Sequence, residues 1–149
     1  VCVEVNSNLH TMLGECRILC LAAELTDETR MIIGARELAA LPKGAIVINA
    51  ARGALLDLEA LADGLESGHI AAAGLDVVSP EPLPQGHRLF KQPNTVITPH
   101  TAGVSSEATS RLAHSACNQI LTALTGQLPQ FPVNPEAWEA AVSRRPMVS

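Results

Sequence analysis

Aromatic side chains are nearly missing from this chain: its 149 residues include no tyrosine, two phenylalanines and one tryptophan. A core must therefore be packed from Val, Ile, Leu and Ala, and the 47% hydrophobic content is enough for a substantial one. An excess of positive charge is missing too. Ten Lys and Arg stand against fifteen Asp and Glu, for a formal net charge of −5, which argues against nucleic acid, whose readers carry a basic face. No apolar run approaches the ~20 residues of a membrane span. No charged-then-apolar leader is read at the start, and a soluble, cytoplasmic setting is expected. The four cysteines and five histidines lack zinc-ligand spacing, so no metal is expected. Cys2, Cys16, Cys20 and Cys117 are expected to be reduced bystanders, with burial the usual fate of a free cysteine. Ser105-Ser106 has no G-x-S-x-G elbow around it and reads as a helix cap, not a nucleophile.

What is present is a recurring strand-then-polar pattern. Ile46-Val47-Ile48-Asn49-Ala50-Ala51-Arg52-Gly53 is a short β-branched run that stops at a polar turn and an arginine. It reads as a buried strand of a parallel sheet with a cation at its carboxyl end. Ala71-Ala72-Ala73-Gly74-Leu75-Asp76-Val77 runs into a Pro-rich loop holding Glu81, and Thr95-Val96-Ile97-Thr98-Pro99 ends at His100. Ligands of open α/β sheets sit outside the carboxyl ends of the strands, so Arg52, Glu81 and His100 have a reason to converge. Each has a blander reading. An arginine after a strand is ordinarily a surface cation, Glu81 alone would be a loop carboxylate, and His100 after Thr-Pro would be a turn residue. Small neighbours on both sides of Arg52, Ala51 and Gly53, allow close backbone approach and favour function there.

In chain order, Val1–Val5 is expected to be a short strand, Leu9–Gly14 a turn or two of helix, and Ile18–Ala23 a buried strand. Thr26-Asp27-Glu28-Thr29 has the chemistry of a helix start, and a helix is expected over Arg36–Leu41. Strand Ala45–Asn49 follows. Asp57 is expected to cap a helix whose buried face is Leu58, Leu61, Ala62 and Leu65, ended by Ser67-Gly68. Strands at Ile70–Val77 and Thr95–Thr98 flank an irregular loop, Ser79–Gln92. A long helix, Ser105–Thr125, carries an apolar face of Ala108, Leu112, Ala113, Ala116, Ile120, Leu121 and Leu124. The tail from Pro129 is expected to lie along another surface or be loose. The alternation points to βαβ units and a parallel sheet. His10, His69, His87 and His114 read as loop, turn or helix-surface residues.

The segments INAARG, GLDVVSPEPL and NTVITPHTAG, in this order and spacing, resemble those of the NAD(P)-dependent D-2-hydroxyacid dehydrogenases. That family includes glyoxylate/hydroxypyruvate reductases, D-lactate and formate dehydrogenases and phosphoglycerate dehydrogenase. The resemblance covers nearly the whole chain, from LTDETR to FPVNPEAW. It implies an α/β fold: the carboxyl-terminal half of a Rossmann-type parallel sheet with flanking helices, then a long crossover helix and tail. The corresponding division is a partial NAD(P)-binding domain over 1–104 and a crossover helix and tail over 105–149. It also implies roles. Arg52 would clamp the substrate carboxylate, His100 would be the acid–base group, and Glu81 would pair with His100; a carboxylate beside an imidazole favours the protonated ring. Asp76 would hold the nicotinamide carboxamide. Ala23, Ala50, Ala51 and Gly103, with Arg52 and His100, would complete the NAD or NADP contacts, and Thr29 would lie near the cofactor.

Departures from the family pattern sharpen these expectations. The glycine fingerprint G-x-G-x-x-G that cradles the pyrophosphate is absent. The chain opens on Val1 without a methionine, and the resemblance implies that it is a portion of a longer enzyme, a homodimer by family analogy. As a portion, it is expected to bind cofactor poorly and turn over little. Glu24 stands where the family usually has proline, and Arg17 where an acid commonly precedes the strand. Glyoxylate or hydroxypyruvate is the favoured substrate. The alternatives are a dinucleotide-sensing binding protein, like the family's transcriptional co-repressors, and an inactive truncated fragment.

Overall fold

Four of the apolar runs become strands lying side by side in sequence order. In the computed structural model, which describes residues 4–143, they are β1 (Ile18–Leu21), β2 (Ala45–Asn49), β3 (Ile70–Leu75) and β4 (Thr95–Ile97). Every pairing is parallel, and Leu21, Asn49, Leu75 and Ile97 fall in one row across the sheet. The carboxyl ends are therefore level, and whatever follows each strand emerges along one edge.

Helix α1 (Leu9–Glu15) precedes β1, α2 (Ala35–Ala40) joins β1 to β2, and α3 (Leu58–Glu66) joins β2 to β3. Local chemistry sets their starts. Asn8 accepts from the Thr11 amide, and the Asp57 side chain accepts from the amides of Glu59 and Ala60, satisfying donors that the first helical turn leaves open. Leu58, Leu61, Ala62 and Leu65 of α3 are buried, as their spacing predicts. Gly68, at φ +70°, takes the left-handed turn that ends this helix. The core is aliphatic: Leu13, Val47, Leu55, Leu61, Ile70 and Leu75 are fully enclosed. Each such side chain contributes roughly 1.5–3 kcal/mol by leaving water. Both phenylalanines, Phe90 and Phe131, lie outside it.

Several expectations are corrected. Strand β1 alternates in burial: Leu19 and Leu21 face inward while Ile18 and Cys20 are exposed, as befits an edge strand covered on one face. The Thr26–Thr29 segment is a turn and not a helix start. The Thr29 hydroxyl donates to the Glu24 carbonyl at 2.7 Å and accepts from the Thr26 amide at 2.7 Å, closing the chain on itself. The loop 79–92 contains a 3₁₀ turn, Arg88–Lys91, around the buried Leu89. The free cysteines are not buried: Cys20 and Cys117 are exposed and Cys16 is half-buried. The strand expected at Val1–Val5 lies partly outside the described residues; Glu4 and Val5 are irregular. Cys2 also lies outside them.

The chain divides into two compact units, one up to Ala102 and one from Gly103. In the second, α4 (Ser106–Leu124) is capped by Ser105, whose hydroxyl accepts from the Ala108 amide at 3.1 Å. Leu112, Ile120, Leu121 and Leu124 of its apolar face are exposed. The tail is more ordered than its prolines suggest, with a 3₁₀ turn at Pro135–Ala137 and a short helix, α5 (Trp138–Ser143). The Phe131 amide donates to Gln119 Oε1 at 3.0 Å and ties this segment back to α4. No helix among the described residues is long and apolar enough to cross a membrane.

Candidate active site

The level strand ends deliver the predicted side chains to one edge of the sheet. Beyond β2 the chain turns at once, and a buried side chain holds the turn. Asn49, fully enclosed at the end of the strand, donates from Nδ2 to the Arg52 carbonyl at 3.0 Å and accepts the Ala51 amide on Oδ1 at 3.1 Å. A buried amide with partners on both sides rigidifies what it touches. Arg52 then projects into solvent with Nη1 donating to the Ala51 carbonyl at 2.7 Å. Among the described residues no carboxylate pairs with it.

Gly53 follows, and its lack of a side chain is required. A Cβ there would stand 2.1 Å from the Val78 carbonyl oxygen and 2.8 Å from the Ser79 nitrogen. The loop after β2 therefore packs directly on the backbone after β3. That second loop carries Glu81, with cis peptide bonds before Pro80 and Pro82, and is anchored beyond Glu81 by the buried Leu83.

His100 and Glu81 meet as the sequence predicts. His100 Nδ1 lies 3.1 Å from Glu81 Oε1 and 3.3 Å from Oε2, with both side chains about half exposed. His100 has φ +58°, a left-handed conformation uncommon outside glycine. It is held by its amide, which donates to the Asp76 carbonyl at 2.9 Å.

Asp76, 8% exposed, is engaged within the chain. Its Oδ1 accepts the Thr98 hydroxyl at 2.5 Å and the Thr101 amide at 2.8 Å, and its Oδ2 accepts the Ala102 amide at 2.9 Å. The Thr98 hydroxyl first, and these amides after it, hold the carboxyl below the usual aspartate range.

Of the other candidates, Ala23, Ala51 and Arg52 line one hollow of about 410 Å³ with Ala22, Glu24 and Leu25. Ala50 is exposed on the turn above Asn49 and does not line this hollow. Gly103 opens the second unit. Thr29 bonds within its own turn, to Glu24 and Thr26. A second hollow, about 290 Å³, is lined by Val78, Glu81, Leu83, Phe90, Ile97 and Thr98 among others. No group of three or more potential metal ligands occurs among the described residues. Sequence reasoning gave no role to Asn49 or Thr98, whereas the close backbone approach it expected at Gly53 is present. The available signal was a polar residue closing a buried apolar strand, which must find partners.

His10, His69 and His87 have structural partners. His69 Nε2 lies 3.2 Å from the Leu38 carbonyl, His10 Nε2 3.3 Å from Glu37, and His87 Nε2 3.1 Å from Glu59. His114 Nδ1 lies 2.8 Å from the Ser110 carbonyl one turn back on α4.

Comparison with known proteins agrees with the fold. Residues 2–102 match the family described as D-isomer specific 2-hydroxyacid dehydrogenase, NAD binding domain. The glyoxylate/hydroxypyruvate reductase B of Yersinia enterocolitica is 40% identical over 134 residues, which is 90% of this chain and 41% of the relative. The crystal structure of the TT0316 protein from Thermus thermophilus is 44% identical, with a TM-score of 0.80 over 84% of this chain and 40% of that one. A D-isomer specific 2-hydroxyacid dehydrogenase from Xanthobacter autotrophicus Py2, in complex with NADPH and MES, is 38% identical, with a TM-score of 0.70 over 87% of this chain and 53% of that one. The chain thus spans about two fifths of the length of the curated relative it matches. With strands, level carboxyl ends and family match in agreement, the chain belongs to the D-isomer specific 2-hydroxyacid dehydrogenases, over their NAD-binding domain.

Proposed function

We propose that the whole protein is an NAD(P)-dependent oxidoreductase interconverting small 2-keto and 2-hydroxy acids, with glyoxylate or hydroxypyruvate as substrate. The observation that carries this reading is the His100–Glu81 pair, 3.1 Å apart, with Glu81 on the loop that packs directly on Gly53, beside Arg52.

A bound nicotinamide would supply the hydride for reduction and accept one in the reverse direction. The hollow beside Arg52 suits a flat ring, because Ala22, Ala23 and Ala51 keep its walls small. Arg52 binds the substrate carboxylate through its planar guanidinium, whose fork matches two carboxylate oxygens. With Nδ1 turned to Glu81, His100 offers Nε2 to the reacting oxygen. It donates a proton there when the keto acid is reduced and accepts one when the hydroxy acid is oxidised. Glu81 fixes the orientation of the ring through Nδ1. Ala23, Ala50, Ala51 and Asp76 belong to the cofactor side of the site in this reading.

The reading extends to a cytoplasmic homodimer with residues 1–104 in the dinucleotide-binding domain and 105–149 as the crossover helix and tail; the family resemblance supports this part. The deciding experiment is oxidation of NADH and NADPH by the full-length protein with glyoxylate and with hydroxypyruvate. Saturable turnover with either acid is expected. Tight dinucleotide binding with no turnover on any small 2-keto acid would overturn the reading in favour of a sensing protein.

A further inference from the structure

We propose that Arg88 is a positioning residue for the reaction: its ion cluster on α3 sets where Glu81 stands against His100. This rests on the function proposed above and deepens it.

Glu81 lies on a loop that bridges a gap between two holds. The loop leaves β3 at Val78, against the bare backbone of Gly53, and returns to α3 at His87 and Arg88. Between these holds, Ser79, Pro80 and Pro84 line a hollow of about 430 Å³ together with Met31, Leu58 and Glu59. Leu83 and Leu89 are buried and fix the depth of the loop. Apolar burial is non-directional, however, so the orientation of the span falls to the bonds at its ends.

The hold on α3 is directional. Arg88 forks onto Glu66, with Nε donating to Oε1 at 3.1 Å and Nη2 to Oε2 at 2.7 Å. Nη2 also donates to Asp63 at 2.6 Å, and Nη1 to Glu59 at 3.2 Å. Gln92 Nε2 donates to Glu66 Oε1 at 3.2 Å. His87 Nδ1 accepts the Leu89 amide at 3.2 Å, which leaves Nε2 as the donor to Glu59, 3.1 Å away. An isolated exposed ion pair contributes little, but a bidentate arginine shared among three carboxylates is a network with a set geometry. Because α3 starts at the Asp57 cap shortly after Arg52, the same cluster ties the Glu81 loop to the segment that carries Arg52.

The test uses the full-length protein with NADH and glyoxylate or hydroxypyruvate. Arg88→Ala is expected to lower kcat about five- to tenfold, short of the ~100-fold of an acid–base partner lost outright, while KM for the acid stays within about twofold. Arg88→Lys, which keeps the charge without the fork, should fall between parent and Arg88→Ala. In a Glu81→Ala background, Arg88→Ala should lower kcat no further, because no carboxylate is left to position. The ring nitrogen resonances of His100 should move in Arg88→Ala towards those of Glu81→Ala. The same fold-loss of kcat in both backgrounds would make Arg88 a stabilising residue only and overturn the proposal. Unmoved His100 resonances would overturn it as well, whether or not the parent is active. An inactive parent with moved resonances would count against the proposed reaction while upholding the positioning of Glu81 by Arg88.

Discussion

Gly53 and Val78 lie so close that an ideal Cβ on the glycine would stand 2.1 Å from the valine carbonyl oxygen. Neither partner can yield cheaply, because the obstructing atoms are backbone. This contact joins the loop that ends in Arg52 to the loop that carries Glu81, so Gly53→Ala must push two loops apart. The expected outcome for the full-length protein is destabilisation of about 1–3 kcal/mol, the range for overpacking a well-filled interior, with reduced turnover. Denaturant unfolding monitored alongside activity measures both. Parental stability would mean that the loops are not in contact in solution.

The start of α3 gives a prediction that separates local stability from chemistry. Asp57 Oδ1 accepts two amides, from Glu59 at 3.0 Å and Ala60 at 3.1 Å. Asp57→Ala should cost about 1 kcal/mol, and Asp57→Asn much less, since asparagine caps comparably. Chemical denaturation of the three proteins tests this; equal losses for both variants would show that the charge and not the cap matters.

Arg52→Lys addresses the carboxylate clamp. Lysine keeps the charge but loses the planar fork, and a hydrogen bond to a charged group contributes about 1.5–3 kcal/mol. The expected loss in kcat/KM for the acid is therefore about 10- to 100-fold. Steady-state kinetics with near-parental efficiency would remove Arg52 from that role.

For the histidine pair, Glu81→Gln keeps an acceptor near His100 Nδ1 and removes the charge, whereas Glu81→Ala removes both. Turnover should fall about tenfold in the first and about 100-fold in the second. Equal, small effects on turnover in correctly folded variants would leave Glu81 as a loop carboxylate.

Much of this architecture was legible in the residues. The run Ala45–Asn49 and the capped, periodic stretch from Asp57 to Glu66 adopt the predicted forms, because burial and capping are local signals. The His100–Glu81 pairing was also foreseen. What escaped reading depends on partners distant in sequence. Asp76 bonds residues 22 to 26 positions away, and no local pattern in a strand-end aspartate reveals that its oxygens are already engaged. The Thr26–Thr29 error has the opposite cause. Hydroxyl and acidic residues favour turns as well as helix starts, and here Thr29 spends its hydroxyl on Glu24 and Thr26.

Arg88 anchors the far end of the loop that bears Glu81, and its contribution should depend on pH and salt. Its guanidinium reaches Glu59 at 3.2 Å, Asp63 at 2.6 Å and Glu66 at 2.7 Å, all on α3. The Arg88 hydrogen bond is the main cause that lowers the Glu66 carboxyl below the usual glutamate range. A carboxyl depressed in the folded state stabilises it fully above the unfolded glutamate value and loses that contribution as pH falls through the folded one. Arg88→Ala should therefore melt below the parent at neutral pH, where three acids on one helix face are left unneutralised. The gap should close as pH drops past the glutamate range. High salt should narrow it too, because the cluster is solvent-accessible and screened. Melting curves of parent and variant across pH and ionic strength measure this. A gap insensitive to both would mean that the aliphatic stem of Arg88, and not its charge, holds the loop to α3.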